Sequence, residues 1–427
     1  MVAIMGIETT ALRLYGKMDL RLESFELPEP ADDEILAEII CDSLCMSSHK
    51  ATKQGEDHKR VPTNVRKNPV IVGHEFSGRL LRVGVRWQER FKAGDNFTVQ
   101  PVLSSNGSLD TVGYSFTTVG GNSTYAIIPS CIMENDCLLT YEGDAYFMAS
   151  LSEPMSCIIA ACKAQYHIDA GSYEHRMGIL KGGKTAVLGG AGPMGLGLLD
   201  YLTNGPTKPS LLVITDIDQT RLDRAKSLIM AQEATLQGID LIYLNASRGN
   251  PVKDLLDLTG GIGYDDIFVM APVSDLIKQA DSILGRGGCL NFFAGPNSSS
   301  FFVPFNFYNV HYSGTHVVGT SGGNTEDMRE ALQLIAKKKI NPARMITHIG
   351  GLTAAKEAIL SLPNFPGGKK LIYNQIDMPL IAIPEFREKG DDVPFFAELA
   401  ELCERNRGLW NFRAERVLLE NAPRIQR

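Results

Sequence analysis

Three short stretches of the chain carry side chains of the types that bind zinc in catalytic sites. Cys45 stands in a Ser-Leu-Cys-Met-Ser-Ser stretch, His74 and Glu75 form a Gly-His-Glu, and Glu153 precedes a proline. Thiolate, imidazole and carboxylate are the ligands that zinc takes, and a catalytic zinc keeps one coordination position open. Each stretch alone is equally typical of a buried thiol, a hydrogen-bonded core histidine or a polar helix start. Only their combination predicts a zinc site.

A glycine-rich turn follows a short apolar strand at Lys184–Leu188, and a run with helical spacing follows the turn. Its glycines form a Gly-x-Gly-x-x-Gly pattern in the strand-turn-helix context that dinucleotide binding requires. The first glycine allows the tight turn, the second a close approach to the pyrophosphate, and the third close packing of helix on strand. The free N–H groups of the helix N-terminus would face the phosphates. The predicted cofactor-binding turn comprises Gly190, Gly192, Pro193, Met194 and Gly195.

An acidic residue stands where such a fold binds the adenosine ribose. Asp216 directly follows the second apolar strand, Leu211–Thr215, at about the expected distance of some 20 residues from the turn. A carboxylate there accepts hydrogen bonds from the ribose hydroxyls and repels a 2′-phosphate, which favours NAD(H). Arg221, on the helix that follows, is placed to contact the adenine or to accept a phosphate. NADP(H) therefore stays possible.

Size and composition exclude several classes of protein. The chain has 427 residues, 44% hydrophobic and 21% charged, with a formal net charge of −7. At about 150 residues per domain this length predicts two or three folding units. The acidic balance disfavours nucleic-acid binding, and no apolar run reaches the roughly 20 residues of a transmembrane helix. Without a signal-like N-terminus or a CxxC pair among its eight cysteines, we expect a cytoplasmic protein with reduced thiols.

The motifs together resemble the zinc-containing medium-chain dehydrogenases, and among these the sorbitol (polyol) dehydrogenase branch. The resemblance covers nearly the whole chain, from Thr9 to Tyr373. Three further stretches, 43–48, 319–327 and 367–373, together with the long C-terminal part, resemble ketose-phosphate reductases of this family. The joint pattern is specific and consists of Cys45, Gly73-His74-Glu75, Glu153-Pro154, Gly190-x-Gly192-x-x-Gly195 and Asp216.

The resemblance implies an α/β chain in which a Rossmann doubly wound parallel sheet is inserted into a β-rich GroES-like catalytic domain. We expect the Rossmann domain at 166–316 and the catalytic domain at 1–165 and 317–427, with a C-terminal extension from about residue 376. Strand and helix alternation in the middle of the chain agrees with this division. Family members are dimers or tetramers, so we expect a homodimer or homotetramer.

The resemblance also implies one catalytic zinc per chain, held by Cys45, His74 and Glu153, with Glu75 as an exchangeable or neighbouring ligand. In the family a structural zinc is bound by four closely spaced cysteines, but the matching stretch from Gly94 to Thr124 has none. We therefore predict no structural zinc.

Two departures from the family pattern lie just after the zinc cysteine. The family's Asp that holds the zinc-bound histidine is Ser48 here, which predicts weaker support for His74 or support from elsewhere. The family's proton-relay histidine is Lys50. An ammonium there suits an anionic substrate, and a solvated surface lysine is the alternative.

The resemblance implies that zinc polarises a ketone oxygen as a Lewis acid while the nicotinamide supplies hydride. Ser47, at the family's hydroxyl position, would pass the proton outward. The expected reaction reduces a ketose phosphate, L-sorbose 1-phosphate, to D-glucitol 6-phosphate. Its phosphate needs cations or N–H donors. A basic group after the zinc cysteine supplies candidates, although such a group is often only a solvated face: Lys50, Lys53, His58, Lys59 and Arg60.

Three other functions stay open at this point. A dehydrogenase of a free polyol such as sorbitol would use the same ligands and differ only in the outer pocket. A zinc-free quinone-reductase-like member would lack Cys45, His74 and Glu153, which this chain retains. A non-catalytic nucleotide-binding scaffold is the alternative of another class, suggested by the loss of the relay histidine.

Overall fold

A computed structural model of the protein describes residues 6–103, 109–143, 145–169, 171–296, 298–365 and 367–426. It divides into two compact units. The first unit consists of Met1–Glu153 and Ile346–Arg427, and the second unit is Pro154–Met345. The division shows that the two ends of the chain fold together and that the middle forms a unit of its own.

Nineteen strands, β1 to β19, are formed by the described residues. They are Ile7–Gly16, Asp19–Leu27, Ile35–Ser43, Val70–Ile71, Phe76–Val83, Asn96–Val99, Tyr125–Ile128, Leu138–Thr140, Tyr166–Ile168, His175–Met177, Lys184–Leu188, Leu211–Asp216, Asp240–Asn245, Tyr264–Val269, Leu284–Phe292, His316–Val318, Ile346–Gly351, Lys369–Tyr373 and Ile381–Ala382.

Fifteen α-helices, α1 to α15, are formed by the same described part of the chain. They are Met46–Gln54, Ser130–Glu134, Tyr146–Ser150, Ser152–Ala164, Pro193–Asn204, Gln219–Leu228, Ala231–Thr235, Pro251–Leu258, Ser274–Ile283, Phe307–Ser313, Thr325–Ala336, Ala355–Ser361, Phe386–Lys389, Pro394–Arg405 and Phe412–Asn421. None of these helices has the length and apolar character needed to cross a membrane.

A six-stranded parallel sheet forms the second unit, in the order β13-β12-β11-β14-β15-β16. Its central strands are short apolar runs because helices can cover both faces of such a sheet. Ala186, Val213 and Ile267, from three neighbouring strands, share one core and are fully buried. Strand order reverses on either side of β11, the strand that leads into the glycine-rich turn. This arrangement confirms the predicted doubly wound Rossmann sheet.

Antiparallel pairing dominates the first unit. An eight-stranded sheet runs in the order β19-β17-β18-β3-β5-β6-β8, with β7 also paired to β3, and a second sheet has the order β2-β1-β4. Strand β18, from the C-terminal part, pairs with β3 from the N-terminal part, where Leu371 lies opposite Ser43. This pairing joins the two ends of the chain, as the predicted β-rich domain requires.

The stretch from Gly94 to Thr124, where the family carries its structural zinc, packs against a hydrophobic cluster. Among its described residues, Leu103, Val112 and Val119 are buried in this cluster together with Trp87. Apolar burial therefore stabilises this stretch. The absence of a structural zinc stays a prediction from the missing cysteines.

The C-terminal extension packs on the first unit through a buried polar chain. The Trp410 indole N–H donates to the Tyr373 hydroxyl at 2.8 Å, and that hydroxyl donates to a Glu415 carboxylate oxygen at 2.8 Å. The same carboxylate accepts from the backbone N–H groups of Tyr146 and Phe147 at 2.8 and 2.9 Å. Burial raises the pKa of Glu415 to about 7. The extension thereby fixes the start of α3, which leads into α4.

The second unit is wider than the expected Rossmann range of 166–316, because it spans Pro154–Met345. Helices α4 and α11, on either side of that range, pack within it. Lys163 of α4 forms an ion pair with Glu330 of α11 at 2.8 Å, and the Tyr201 hydroxyl of α5 donates to the same glutamate at 3.0 Å. These contacts lie within the second unit, and the domain limits inferred from the sequence stay a prediction.

Candidate functional site

Cys45 lies between a strand and a helix of the first unit. Strand β3 ends at Ser43, and α1 begins at Met46 with Cys45 in an extended N-cap conformation. Its backbone leaves the sheet at this point, so the thiol is carried by a rigid junction. The side chain is half-buried.

His74 and Glu75 lie in the connection between β4 and β5, and both are buried. The preceding residue, Gly73, has a φ of +97°. A Cβ at Gly73 would lie 2.3 Å from the Asn122 side chain and 2.7 Å from its backbone nitrogen. Glycine is therefore required before the histidine, because any side chain would displace the backbone that carries it.

Cys45, His74 and Glu75 form a group of potential metal ligands. One donor atom from each, a sulfur, a ring nitrogen and a carboxylate oxygen, lies within 4.8 Å of the other two. Burial lowers the pKa of His74, which favours the neutral imidazole that metals bind. The donor set of one sulfur, one nitrogen and one oxygen suits zinc. These three residues therefore fit the predicted zinc.

Glu75 is held by a buried ion pair that the sequence did not reveal. The Lys369 ammonium lies 2.5 Å from both carboxylate oxygens, and the Ser43 hydroxyl donates to one of them. Both members of the pair are at most 5% exposed. Burial alone would raise the pKa of Glu75, but the charges of Lys369 and His74 and the hydrogen bonds from Lys369 and Ser43 together outweigh it and hold the pKa below its usual range. Glu75 is therefore a carboxylate.

Glu153 lies in the first turn of α4 and is buried. Burial, and then the neighbouring charge of Glu75, raise its pKa to about 8. His74 and Cys45 also act on its pKa electrostatically, which places it beside the same group. A divalent cation among these residues would favour its ionised form.

Two serines and a tyrosine surround the imidazole of His74. Ser47 Oγ donates to Cys45 Sγ at 3.0 Å and lies 3.2 Å from His74 Nε2. Ser48 Oγ lies 3.3 Å from His74 Nδ1. The support for His74 thus comes from Ser48 itself, a neutral hydroxyl in place of the family's aspartate. The Tyr114 hydroxyl lies 3.4 Å from His74 Nε2, a long hydrogen bond.

Two residues of the basic group that follows the zinc cysteine, His58 and Arg60, lie at the Tyr114 ring. His58 stacks on the Tyr114 ring with centroids 5.5 Å apart, and the Arg60 guanidinium lies 5.8 Å from the same centroid. Burial, and then the charges of Arg60, Lys50 and Lys59, lower the pKa of His58 to about 4. His58 is therefore neutral at pH 7.

The glycine-rich turn of the second unit joins β11 to α5. The left-handed backbone conformation falls at Gly189, with a φ of +66°, one residue before the predicted motif. A Cβ at Gly190 would meet Val187 at 2.7 Å, and one at Gly195 would lie 2.0 Å from the Gly190 carbonyl oxygen. A Cβ at Gly192 would meet nothing within 4 Å. Two glycines of the motif are thus needed for packing, and the third leaves open space.

Helix α5 begins at Pro193, and its N-cap, Gly192, has no side chain that caps the helix. Pro193 has no N–H to lose at this position, and the next residues, Met194 and Gly195, contribute free N–H groups at the start of the helix. The positive end of the helix dipole is therefore open to an anion.

Asp216 is the last residue of β12 and is buried. Its carboxylate accepts from the backbone N–H of Ala191 at 3.1 Å and from that of Asp218 at 3.1 Å. These bonds fix the acid directly beside the glycine turn. Arg221, on α6, is exposed and lies 3.5 Å from the Asp218 carboxylate, which also caps that helix.

Two family models match the chain in the order that this architecture requires. The alcohol dehydrogenase GroES-like domain matches residues 31–134, and the zinc-binding dehydrogenase domain matches residues 211–337. The chain belongs to the zinc-containing medium-chain dehydrogenases. As a member of this family it is an oxidoreductase that uses zinc and a nicotinamide cofactor.

Similar proteins include two with sugar-phosphate names. The dehydrogenase is 51% identical to mannitol-1-phosphate 5-dehydrogenase of Aliivibrio fischeri, over 97% of this chain and 98% of that protein. It is 49% identical to L-sorbose 1-phosphate reductase of Klebsiella pneumoniae, over 98% of both chains. Sorbitol dehydrogenase of Bos taurus is 26% identical over 82% of this chain and 92% of that protein.

Solved structures confirm the fold. The 2R,3R-butanediol dehydrogenase of Bacillus subtilis superposes with a TM-score of 0.70 at 20% identity, covering 86% of this chain and 99% of the other. The alcohol dehydrogenase of Thermotoga maritima gives 0.67 at 19% identity, covering 86% of this chain and 100% of the other. These similarities support the predicted combination of a GroES-like domain and a Rossmann domain.

The structure also reveals two site residues that sequence reasoning missed. Lys369 comes from β18, far along the chain from Glu75, and Tyr114 comes from the stretch before β7. Neither residue belongs to a sequence motif that indicates a function. The only signal was the Gly-Gly-Lys-Lys stretch around Lys369. It supported the resemblance to the family but indicated no function.

Proposed function

We propose that this dehydrogenase transfers hydride between NAD(P)H and the carbonyl of a ketose phosphate, with L-sorbose 1-phosphate as substrate and D-glucitol 6-phosphate as product. One observation carries the proposal. Two relatives about half identical over nearly the full length are both named for phosphorylated six-carbon sugars or polyols.

Zinc would be held by Cys45, His74 and Glu153, with Glu75 as an exchangeable ligand. The close grouping of Cys45, His74 and Glu75 supports these three residues as ligands, whereas Glu153 is buried but is not part of that grouping. Bound zinc supplies Lewis acidity, which withdraws charge from a carbonyl oxygen. Lys369 keeps Glu75 ionised and pairs with it when Glu75 is not a zinc ligand.

Ser47 is the proposed proton carrier. Its hydroxyl lies between Cys45 Sγ and His74 Nε2, so its oxygen borders the ligand group. A hydroxyl both donates and accepts, so Oγ can give its proton to the substrate oxygen and regain one from its other side. Lys50, on the same helix, is proposed to favour an anionic substrate through its charge.

The cofactor is proposed to bind at the glycine turn, with its pyrophosphate at the start of α5. Asp216 would accept hydrogen bonds from the ribose hydroxyls and so favour NAD(H). Arg221 is exposed and lies beside Asp218, just after the strand that ends at Asp216. At this position it can tolerate a 2′-phosphate, so NADP(H) is the proposed second cofactor. Solved neighbours are described with each type, NADP in one and NADH in another.

A homodimer or homotetramer is proposed from the edge of the parallel sheet. Strand β16 pairs only with β15 among the described strands, so one of its edges is open. Large apolar side chains are exposed in strand β16 and in the chain segment before it. Exposed apolar patches of this kind are typical of association surfaces. They are Phe302, Phe307, Tyr308, Tyr312 and Val317. Sedimentation of the wild-type chain and of Phe307→Ser tests this: a dimer that the variant weakens supports it, and a wild-type monomer contradicts it.

A dehydrogenase of a free polyol is the second candidate. The similarity to sorbitol dehydrogenases at 26% identity favours it, because the ligand residues would be the same. The two candidates differ only in whether the substrate carries a phosphate.

One assay separates them. Purified enzyme of measured zinc content is given L-sorbose 1-phosphate or free L-sorbose with NADH, and with NADPH in parallel. Mannitol 1-phosphate and sorbitol are tested in the oxidative direction. Turnover of L-sorbose 1-phosphate far above free L-sorbose supports the proposal. Equal turnover of both supports the free-polyol enzyme, and cofactor binding with no turnover of any compound supports a non-catalytic scaffold.

A further inference from the structure

Arg60 differs from every other described arginine in the N-terminal part of the first unit. Seven others pair with a carboxylate within 4.0 Å, whereas Arg60 has no such partner among the described residues. The seven that pair are Arg13, Arg21, Arg66, Arg79, Arg82, Arg86 and Arg90. An arginine without an acidic neighbour keeps its charge and its N–H donors available to another anion.

The position of Arg60 is fixed by its backbone rather than by its charge. Its carbonyl oxygen accepts from the Ser115 hydroxyl at 2.7 Å, and its N–H donates to His58 Nδ1 at 3.3 Å. The side chain is half-buried, with the guanidinium against the Tyr114 ring. A guanidinium in contact with a ring face still presents its donors in its own plane, in the fork that matches a phosphate.

Tyr114 links this arginine to the metal-ligand group. Its hydroxyl lies 3.4 Å from His74 Nε2, and the two rings are 5.0 Å apart. Arg60 and His74 therefore contact the same side chain. A molecule whose anionic group binds Arg60 needs only to extend past Tyr114 to reach the ligand group.

Two lysines add to the positive charge at this place. Lys50 and Lys59 both act electrostatically on His58, as Arg60 does, and His58 stacks on Tyr114. Lys53 is not among the charges that lower the pKa of His58. His58 Nδ1 accepts a hydrogen bond from the Arg60 backbone N–H, so this ring nitrogen needs no proton of its own.

We infer that Arg60, supported by Lys50 and Lys59, forms the phosphate subsite of the substrate pocket and selects phosphorylated over free sugars. The inference rests on the proposed function and deepens it, because it assigns the phosphate to named residues. Arg60 contacts the phosphate, and the two lysines raise the local positive potential.

The test compares kcat/KM of Arg60→Met on L-sorbose 1-phosphate and on free L-sorbose. Loss of a charge-assisted fork lowers kcat/KM for the phosphate by about 10- to 100-fold and leaves that for the free sugar within about threefold. Arg60→Lys keeps the charge but loses the fork, so it falls between. Lys67→Met is the matched control, because Lys67 is an exposed cation nearby in sequence. Melting temperatures show whether each variant folds.

Each outcome bears on a different claim. If the wild-type enzyme prefers the phosphate and Arg60→Met keeps that preference, the subsite is wrong and the proposed function stands. Equal loss on both substrates, at an unchanged melting temperature, also overturns the subsite. If the wild-type enzyme shows no preference, the proposed function fails and the subsite fails with it. If Arg60→Met does not fold, an unchanged preference in Arg60→Lys and in Lys59→Met together overturns the inference.

Discussion

The glycine turn of the second unit and the ligand group of the first unit are built in opposite ways. The turn is contiguous, since its six residues from Gly190 to Gly195 form the junction of strand β11 and the first turn of helix α5. The ligand group draws on the β3–α1 junction and the β4–β5 connection, and Lys369 of the distant strand β18 pairs with its glutamate. Backbone geometry defines the first site, whereas burial and charge define the second.

This difference decides how each site responds to change. In the turn, a side chain in the wrong place collides with backbone, and the cost is steric. In the ligand group, a lost side chain leaves a buried charge or a missing ligand, and the cost is electrostatic. Four predictions follow this contrast, beginning with the largest effect.

Replacing the sulfur ligand is expected to have the largest effect. Cys45→Ala removes one of the three close donor atoms, so zinc content and turnover should both fall, turnover by more than about 100-fold. Metal analysis and steady-state rates on the same sample measure this. Cys131→Ala is the control, since Cys131 is a half-buried thiol outside the group. Full zinc and full turnover in Cys45→Ala would remove the ligand assignment.

Breaking the buried ion pair is expected to cost stability. Lys369→Met leaves the Glu75 carboxylate buried without its cation, which should lower the free energy of unfolding by about 3–5 kcal/mol. Denaturant unfolding of the metal-free protein measures it. The double variant Glu75→Gln with Lys369→Met should recover much of the loss, because no charge is left unpaired. A single variant as stable as wild type would show that the pair contributes nothing.

The two glycines of the turn should separate packing from cofactor binding. Gly195→Ala places a Cβ 2.0 Å from the Gly190 carbonyl oxygen, so we expect a loss of about 1–3 kcal/mol in stability and weaker cofactor binding. Gly192→Ala meets nothing within 4 Å, so it should fold normally and lose only cofactor affinity. Melting temperature and NADH titration test both. Equal destabilisation by the two substitutions would contradict this division.

The smallest expected effect is on cofactor choice. Asp216→Asn keeps the side-chain shape but removes the negative charge, so NADH affinity should fall by about tenfold. NADPH affinity should fall less or rise, because the repulsion of a 2′-phosphate is gone. Fluorescence titration with both cofactors measures the ratio. A ratio that does not move would mean that Asp216 does not select the cofactor.

The sequence was most informative where a function depends on neighbours in the chain. The strands Lys184–Leu188 and Leu211–Thr215 were predicted from apolar runs, and both exist, the second one residue longer at Asp216. Helix α5 was predicted from spacing alone. These elements are local because hydrogen bonds and burial within a βαβ unit involve residues close in sequence. The resemblance then supplied the fold of the rest.

It was less informative where distant residues meet. The pairing of β18 with β3 brings Lys369 toward Glu75, and no spacing between these residues indicates it. Likewise, His58 and four cations stood together in the sequence, and three of those four, Lys50, Lys59 and Arg60, lower the pKa of His58.

The sequence by itself thus determined the family, and it predicted the dinucleotide turn and the types of the metal ligands, because each is recorded in residue identity and short-range order. Only the tertiary structure decided that Lys369 neutralises Glu75, that Ser48 supports His74, and that Arg60 has no carboxylate within ion-pair distance in the described part of the chain beside Tyr114. These facts depend on side chains that meet after the sheet has formed. Burial then determines which of these side chains needs a charged partner. A buried ion such as the Glu75 carboxylate needs one, whereas the half-buried Arg60, which has no carboxylate partner, can bind an anion.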